Sequence, residues 1–499
     1  MTPAPELPAT PPSGGRRWTL ILGALALAVL LVVVVVVTRD DDEAAAPSTT
    51  TSVPTTTTTT MPLVGSPGAE GLGDPYFPGL GNGGYDVEHY ELDLTWRADE
   101  GTLEGVTTVS AVATEDLSQF NLDLHRMDVR AVTVEGQPAG VDRTERELIV
   151  TPASPIATGS AFTTVVTYSG RPVPISEGTE LFDLGWQTDG REAFVVSEPS
   201  GASTFFPVND HPTDKATYTF RVTAPEDQTV VANGLLVSSD DVGHGTRSWT
   251  YEAPDPMASY LVQVAIGDYE LVDAGRVGDV VIRHAFHRSI ADEARLAVAG
   301  TADMLRLLTE VYGPYPFGSY GVVAVDEDLG FALETQTLTI IGSDVARDGR
   351  GADILLLHEL AHQWVGNVVS PATWRDIWLN EGFATYAEWL YTERTGGASA
   401  ASQARQYAGI PVLDLPPGDP GSVELFAPTV YVRGGMTLQA LRERVGDDAF
   451  FRLLRRWVDD HRDGTASTDD FVGLAEEVTG QDLEALFDSW LYDPVTPRL

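Results

Sequence analysis

The sequence contains no cysteine, and Lys215 is the only lysine among its 31 basic residues. The first absence excludes a disulfide framework and any zinc site built on thiolates, which leaves His, Asp and Glu as ligands for such a metal. The second, set against 73 acidic residues, gives a formal net charge of -42. Phosphate recognition depends on clustered cations, so no nucleic-acid partner is expected. The acid excess reads instead as a hydrating surface. Apolar residues are not scarce. At 43% they can fill sizeable cores, and a chain of 499 residues is expected to form two or three domains.

One stretch lacks charge altogether. From Trp18 to Val37 every residue is uncharged and nearly all are apolar, and 20 helical residues rise about 30 Å, the thickness of a bilayer core. Residues 18–38 are therefore expected to be a transmembrane signal anchor that follows a short cytoplasmic N-terminus, 1–17. Arg16 and Arg17 before the run, with Arg39 after it, favour that orientation. Cleavage near Ala44–Ala46 is the alternative and would release a secreted form. The following Ser, Thr and Pro-rich composition cannot bury enough apolar area to fold, so 39–73 is expected to be an extracellular stalk or plain disorder.

Between 74 and 273 the apolar pattern has period two. Tyr90, Leu92, Leu94 and Trp96 alternate with polar residues, as do Phe120, Leu122 and Leu124, and Tyr218, Phe220 and Val222. Gly-Asn-Gly-Gly at 81–84 and Ala-Asn-Gly at 232–234 are turn signals between such runs. From 274 to 499 helical spacing dominates, at 290–312, 352–367, 381–395, 434–446 and 447–461, with one strand-like run from Tyr320 to Val325. The expected fold class is α+β multidomain: an N-terminal antiparallel β-sandwich-like domain, then a mainly α domain, preceded by one transmembrane helix.

The strongest chemical signal is His358-Glu359-Leu360-Ala361-His362. A spacing of four residues on a helix sets the two imidazoles about 40° apart on one face, so both reach one ion. Glu359, about 100° round the helix, stands beside that ion as a base for its water. Downstream, Trp378-Leu379-Asn380-Glu381-Gly382-Phe383-Ala384-Thr385 starts a second helical run, with 18 residues between His362 and Glu381.

This arrangement, with the flanks His362-Gln363-Trp364-Val365-Gly366-Asn367 and Trp378 to Ala384, resembles the aminopeptidase N-like zinc metallopeptidases of the gluzincin clan. The similarity runs from about Asp74, through Met257 to Leu261 and Gly313 to Phe317, to Trp490. It implies a thermolysin-like catalytic domain at 274–499, in a short form without the helical domain that continues longer relatives. That shortness carries an expectation of a more open cleft.

The resemblance also implies one Zn2+ per chain, held by His358, His362 and Glu381 with a position left for water, and Glu359 as catalytic base. Tyr431, in Tyr431-Val432-Arg433-Gly434-Gly435, is similar to the family tyrosine that stabilises the oxyanion, with Arg433 where relatives have lysine. Glu334, in Phe331-Ala332-Leu333-Glu334-Thr335, matches the glutamate of a Gly-x-Met-Glu-Asn motif that binds the substrate's free α-amine. The glycine, methionine and asparagine of that motif are absent here. Glu198, before Pro199, corresponds to a second amine-binding glutamate and would make the β domain part of the site. The expected activity is aminopeptidase action on peptides with a free N-terminus, with an endopeptidase on the same metal chemistry as the rival and a non-catalytic surface domain as a third reading. His211, His284 and His287 read as structural, and Asp326, Glu327 and Asp328 as a solvated turn.

Overall fold

The computed structural model describes residues 63–176 and 182–499. The expected anchor at 18–38, and the stalk up to residue 62, lie outside the described residues. Among the described residues no helix is long and apolar enough to cross a membrane. The last part of the expected stalk is folded: Ser66–Pro67 pairs in parallel with the strand Leu117–Asp123. A Cβ on Gly65 would come 2.4 Å from the Leu117 backbone, so the glycine that looks like linker composition is what lets this segment lie flat on the sheet.

The β-rich half is built on an eight-stranded sheet. From one edge its strands are Leu235–Gly243, Thr246–Met257, Ala216–Pro225, Tyr85–Arg97, Thr102–Ala113, Ala161–Gly170, Asp128–Val134 and Gln137–Pro138. The alternating residues lie where the pattern puts them: Tyr90, Leu92, Leu94 and Trp96 are buried, and so are Tyr218, Phe220 and Val222. The sheet is not antiparallel throughout, however. Ala216–Pro225 runs parallel to Tyr85–Arg97, in register from His89 opposite Thr217. More than a hundred residues separate the two strands, so a crossover is available, and alternation reports which face is buried rather than strand direction. A four-stranded sheet containing Leu117–Asp123 shares the same core through the rings of Tyr85, Phe120 and Phe162. A third sheet, of Gly185–Thr188, Ala193–Val196, Val264–Gly267 and Thr229–Ala232, leads straight into Ser197-Glu198.

The second half is less purely helical than its sequence periodicity predicts. Strands Tyr269–Val277, Val280–His287, Ser319–Tyr320, Val322–Ala324, Ala332–Leu333 and Thr339–Ile341 form one mixed sheet. Only Tyr320 to Val325 is foreshadowed in the sequence. Of the others, Ala332–Leu333 and Thr339–Ile341 have two and three residues, and Thr339–Ile341 is buried on both faces, so it shows no alternation. Tyr269–Val277 also runs through position 273, so this sheet begins before the expected domain division.

The helices begin and end where local chemistry decides. The expected helix 352–367 is Asp353–Ala361, after which Gln363–Asn367 forms a wide turn with Gly366 at φ 118°. The run 290–312 divides into Ala291–Ala297 and Thr301–Tyr312. The helix expected at 381–395 starts three residues earlier, as Trp378–Arg394. The one expected at 434–446 is Pro428–Val445, with Pro428 in its first turn, where a missing N–H costs nothing. Gly434 and Gly435 are a contact surface. The helix Pro428–Val445 crosses Trp378–Arg394 so closely that a Cβ on Gly382 would sit 2.8 Å from Gly434 Cα. Arg433, fully buried, donates to the carbonyls of Leu413, Ser489, Trp490 and Asp493 and ties the C-terminal segment to this crossing. Gly434→Ala is expected to force the helices apart at a cost of about 1–3 kcal/mol, the range for overpacking. A lowered Tm in calorimetry together with a lowered kcat checks it, since Tyr431 and Glu381 ride on the two helices.

Candidate metal centre and acidic cavity

The helix Asp353–Ala361 ends one residue before His362, so both histidines leave its last turn on one side. Glu381 meets them from the first turn of Trp378–Arg394, where the helix dipole favours a carboxylate. Its Oε2 lies 3.1 Å from His358 Nε2 and 3.5 Å from His362 Nε2. All three residues are buried.

The outer nitrogens fix the tautomers. His362 Nδ1 is 3.0 Å from the Val365 carbonyl oxygen, which only accepts, so Nδ1 carries a proton and Nε2 is left to face Glu381. His358 does the same, with its Nδ1–H donating to Glu388 Oε1 at 2.7 Å. Both Nε2 atoms therefore converge on one carboxylate oxygen in a buried site, where a proton on each imidazole or a single metal cation supplies the positive charge the carboxylate needs. With no metal between them, the carboxylates favour protonated imidazoles, whose protons a metal ion would replace. Burial disfavours charged His362, yet Glu334 and Glu381 bring its pKa up to about 9. Burial also opposes charge on Glu381, yet His362 and His358 hold it down at about 2. Two neutral imidazoles and one carboxylate, each imidazole oriented by an acceptor behind it, fit a catalytic zinc site.

The turn Gln363–Asn367 does more than end a helix. Val365 and Gly366 leave helical geometry there, which swings the Val365 carbonyl back under His362. A Cβ at Gly366 would approach His362 Nδ1 to 3.2 Å in a backbone region that L side chains rarely adopt. The side chains of Gln363 and Asn367 both donate to the Glu334 carbonyl, at 2.9 and 2.8 Å, and so fix that glutamate beside the metal ligands. From the β-rich half, Tyr260 donates to the Gly366 carbonyl at 2.9 Å, and Lys215 donates to the carbonyls of Asn367, Val368 and Gly464.

All seven residues singled out in the sequence line one cavity of about 340 Å³: Glu198, Glu334, His358, Glu359, His362, Glu381 and Tyr431. Carboxylate oxygens of Glu198, Glu334 and Glu381 lie within 4.8 Å of one another, and so do single ligand atoms of Glu334, Glu359 and His362. Glu198 Oε1 and Glu334 Oε1 are buried without a hydrogen-bond partner. Burial, and then Glu334 and Glu381, push the Glu198 carboxyl well above its ordinary range. Burial likewise raises Glu334, and raises Glu359 to about 8. Tyr431 stacks on His358 with ring centroids 5.9 Å apart, and burial, then Glu381, keep its phenol protonated and able to donate.

Glu388 is missing from the sequence reading. It lies seven residues, almost two full turns, after Glu381 and so on the same helix face. That offset is the signal that would have found it. Glu388→Gln is expected to lower zinc affinity about 10–100-fold, the range for losing a partner behind a ligating histidine, with little change in Tm of the zinc-loaded protein. Titration against a competing chelator measures it.

Two family models match the chain: the peptidase M1 N-terminal domain over residues 86–261, and the peptidase family M1 domain over 296–411 and 418–490. An M1 zinc metallopeptidase from Deinococcus radiodurans superposes with a TM-score of 0.80 at 35% identity, covering 86% of this chain and 98% of that one. A variant of that enzyme, at 34% identity, is described bound to a Tyr-Ser-Ala substrate. Among sequence relatives, "Aminopeptidase N" of Streptomyces lividans is 28% identical over 439 residues, 81% of this chain and 50% of its own length. "Aminopeptidase 2" of Candida albicans is 23% identical over 433 residues, 81% of this chain and 46% of its own. The chain thus spans about half the length of these curated relatives and nearly all of the Deinococcus structure. By these matches over both halves, the chain belongs to peptidase family M1.

Proposed function

We propose that this M1 peptidase is a zinc-dependent aminopeptidase that removes N-terminal residues from peptides. The observation that carries the reading is the pair of buried, unpartnered carboxylate oxygens on Glu198 and Glu334 beside the metal ligand Glu381. Buried charge needs a partner, and a peptide's free α-ammonium satisfies these groups while its first carbonyl lies toward the histidines. An acetylated N-terminus offers no positive charge and leaves the carboxylates unpaired.

His358, His362 and Glu381 would hold zinc, which supplies Lewis acidity to activate water and polarise the scissile carbonyl. Glu359 then takes the proton of the attacking water and delivers it to the departing amine. Its raised proton affinity suits the second transfer as well as the first. Tyr431 donates its O–H to the oxygen that gains charge, a contribution of roughly two to three powers of ten in rate. Glu198 and Glu334 fix the ammonium and so set which bond reaches Glu359.

Glu359→Gln is expected to lower kcat by about two to four powers of ten with zinc content by plasma emission unchanged; full activity with zinc bound would exclude this base. Glu198→Gln and Glu334→Gln are expected to raise KM more than they lower kcat. A peptide and its N-acetylated twin give the direct comparison: equal cleavage of the two would make the enzyme an endopeptidase.

For location we propose a cell-membrane protein with the peptidase outside, anchored through 18–38. The support is the uncharged run Trp18 to Val37. Resistance to carbonate extraction, with cleavage of the peptidase by protease added to intact cells, is the expected behaviour; recovery in the carbonate supernatant would exclude an anchor.

A further inference from the structure

With the charged groups assigned, the rest of the cavity wall has a single character. Phe182, Phe331, Ala332, Leu333, Leu355 and Phe426 complete it, and no lysine or arginine is among the residues lining the cavity. Phe182, Phe331, Leu355 and Phe426 are each only half-buried, so large apolar side chains keep uncovered surface beside the catalytic groups. Phe182, from the β-rich half, and Phe331, from the segment before Ala332–Leu333, stack with ring centroids 4.0 Å apart and 19° between planes. Both pack on the small core that includes Leu333 and Ile340. Position 331 is where the family motif has glycine, so this chain has put an aromatic wall at a place that the motif leaves bare.

Stereochemistry decides what meets the wall. In an N-terminal residue the amine, the carbonyl and the side chain all branch from one Cα. Once the amine is held by Glu198 and Glu334 and the carbonyl lies between Glu359 and Tyr431, the side chain must face the remaining surface. Leu355 stands three and four residues before His358 and Glu359, one turn along the same helix face, which continues the apolar wall beside the reacting carbonyl.

On the aminopeptidase reading above, we infer that the Phe182–Phe331 stack, with Leu355 and Phe426, forms the side-chain pocket and selects peptides with a large apolar or aromatic N-terminal residue. Such a side chain covers apolar surface otherwise left to water. A methyl group leaves most of it exposed. An acidic side chain meets carboxylates with no cation to pair it, and a basic one finds Glu388 already engaged by His358.

The test is a panel of fluorogenic aminoacyl amides of Phe, Leu, Ala, Arg and Glu, with the zinc-loaded full chain. Phe and Leu are expected to exceed Ala in kcat/KM by at least about tenfold, given what one or two methylenes are worth in an apolar pocket, and Glu to be cleaved least. In Phe331→Ala the Phe substrate should lose about tenfold, mainly in KM, and the Phe-to-Ala ratio of kcat/KM should fall by at least about fivefold. Phe331→Leu, which keeps the apolar volume, should fall between. Calorimetric titration of L-phenylalanine and L-alanine into zinc-loaded Glu359→Gln reads the same preference without turnover. A flat profile, a preference for Ala or Arg, or a parallel loss on both substrates in Phe331→Ala overturns the inference while leaving the aminopeptidase reading intact. Cleavage of acetylated substrates as fast as free ones overturns both.

Discussion

The tautomer of His362 is the constraint on which the rest of the site depends. Because its Nδ1–H is committed to the Val365 carbonyl, its Nε2 is the atom that faces Glu381. A carboxylate buried there needs positive charge beside it, either a proton on Nε2 or a metal ion in that proton's place. The surroundings keep them from turning away. Gly366 lets the chain fold back so that the carbonyl arrives, Glu388 does the same service for His358, and the Gly382–Gly434 crossing keeps the two ligand-bearing and oxyanion-facing helices at close range.

A second layer of the same physics lies beside the first. Glu198, Glu334 and Glu359 stand next to Glu381, and their raised proton affinities come first from burial and then from the neighbouring carboxylates, with His358 and His362 pulling Glu334 and Glu359 the other way. Metal and ammonium are thus two answers to one electrostatic demand. They differ in what surrounds them: imidazoles on one side, which suit a transition metal, and carboxylates alone on the other, which suit an organic cation. The β-rich half contributes to both sides, through Glu198 and through Tyr260 under Gly366, so the site belongs to neither half alone.

Much of this is legible in the sequence because it is written in short-range spacing. His358, Glu359 and His362 follow from the geometry of one helix, and the buried faces of the long strands follow from alternation. Glu381, Tyr431, Glu334 and Glu198 come from separate elements, and only a family resemblance links such distant positions before folding does. What escaped obeys no period. The strands Ala332–Leu333 and Thr339–Ile341 are too short to alternate, and the end of the His358 helix is set by an unusual glycine conformation. Nor does any period mark Gly434 as a point of contact, although a glycine that weakens an isolated helix is what allows these two helices to touch. Parallel pairing of Tyr85–Arg97 with Ala216–Pro225 could not be read at all, because the two faces of a strand look the same whichever way its neighbour runs.

The single lysine repays a last look. Its ammonium spans from the strand that begins at Ala216 to the carbonyls of Asn367, Val368 and Gly464, and burial brings its pKa down to about 7. The only side-chain amine in the protein is therefore spent on internal carbonyls next to the metal loop. Reagents that label, cross-link or immobilise proteins through lysine would find no ordinary target on the surface. Any that did reach Lys215 would remove the donor that these three carbonyls share beside the metal loop.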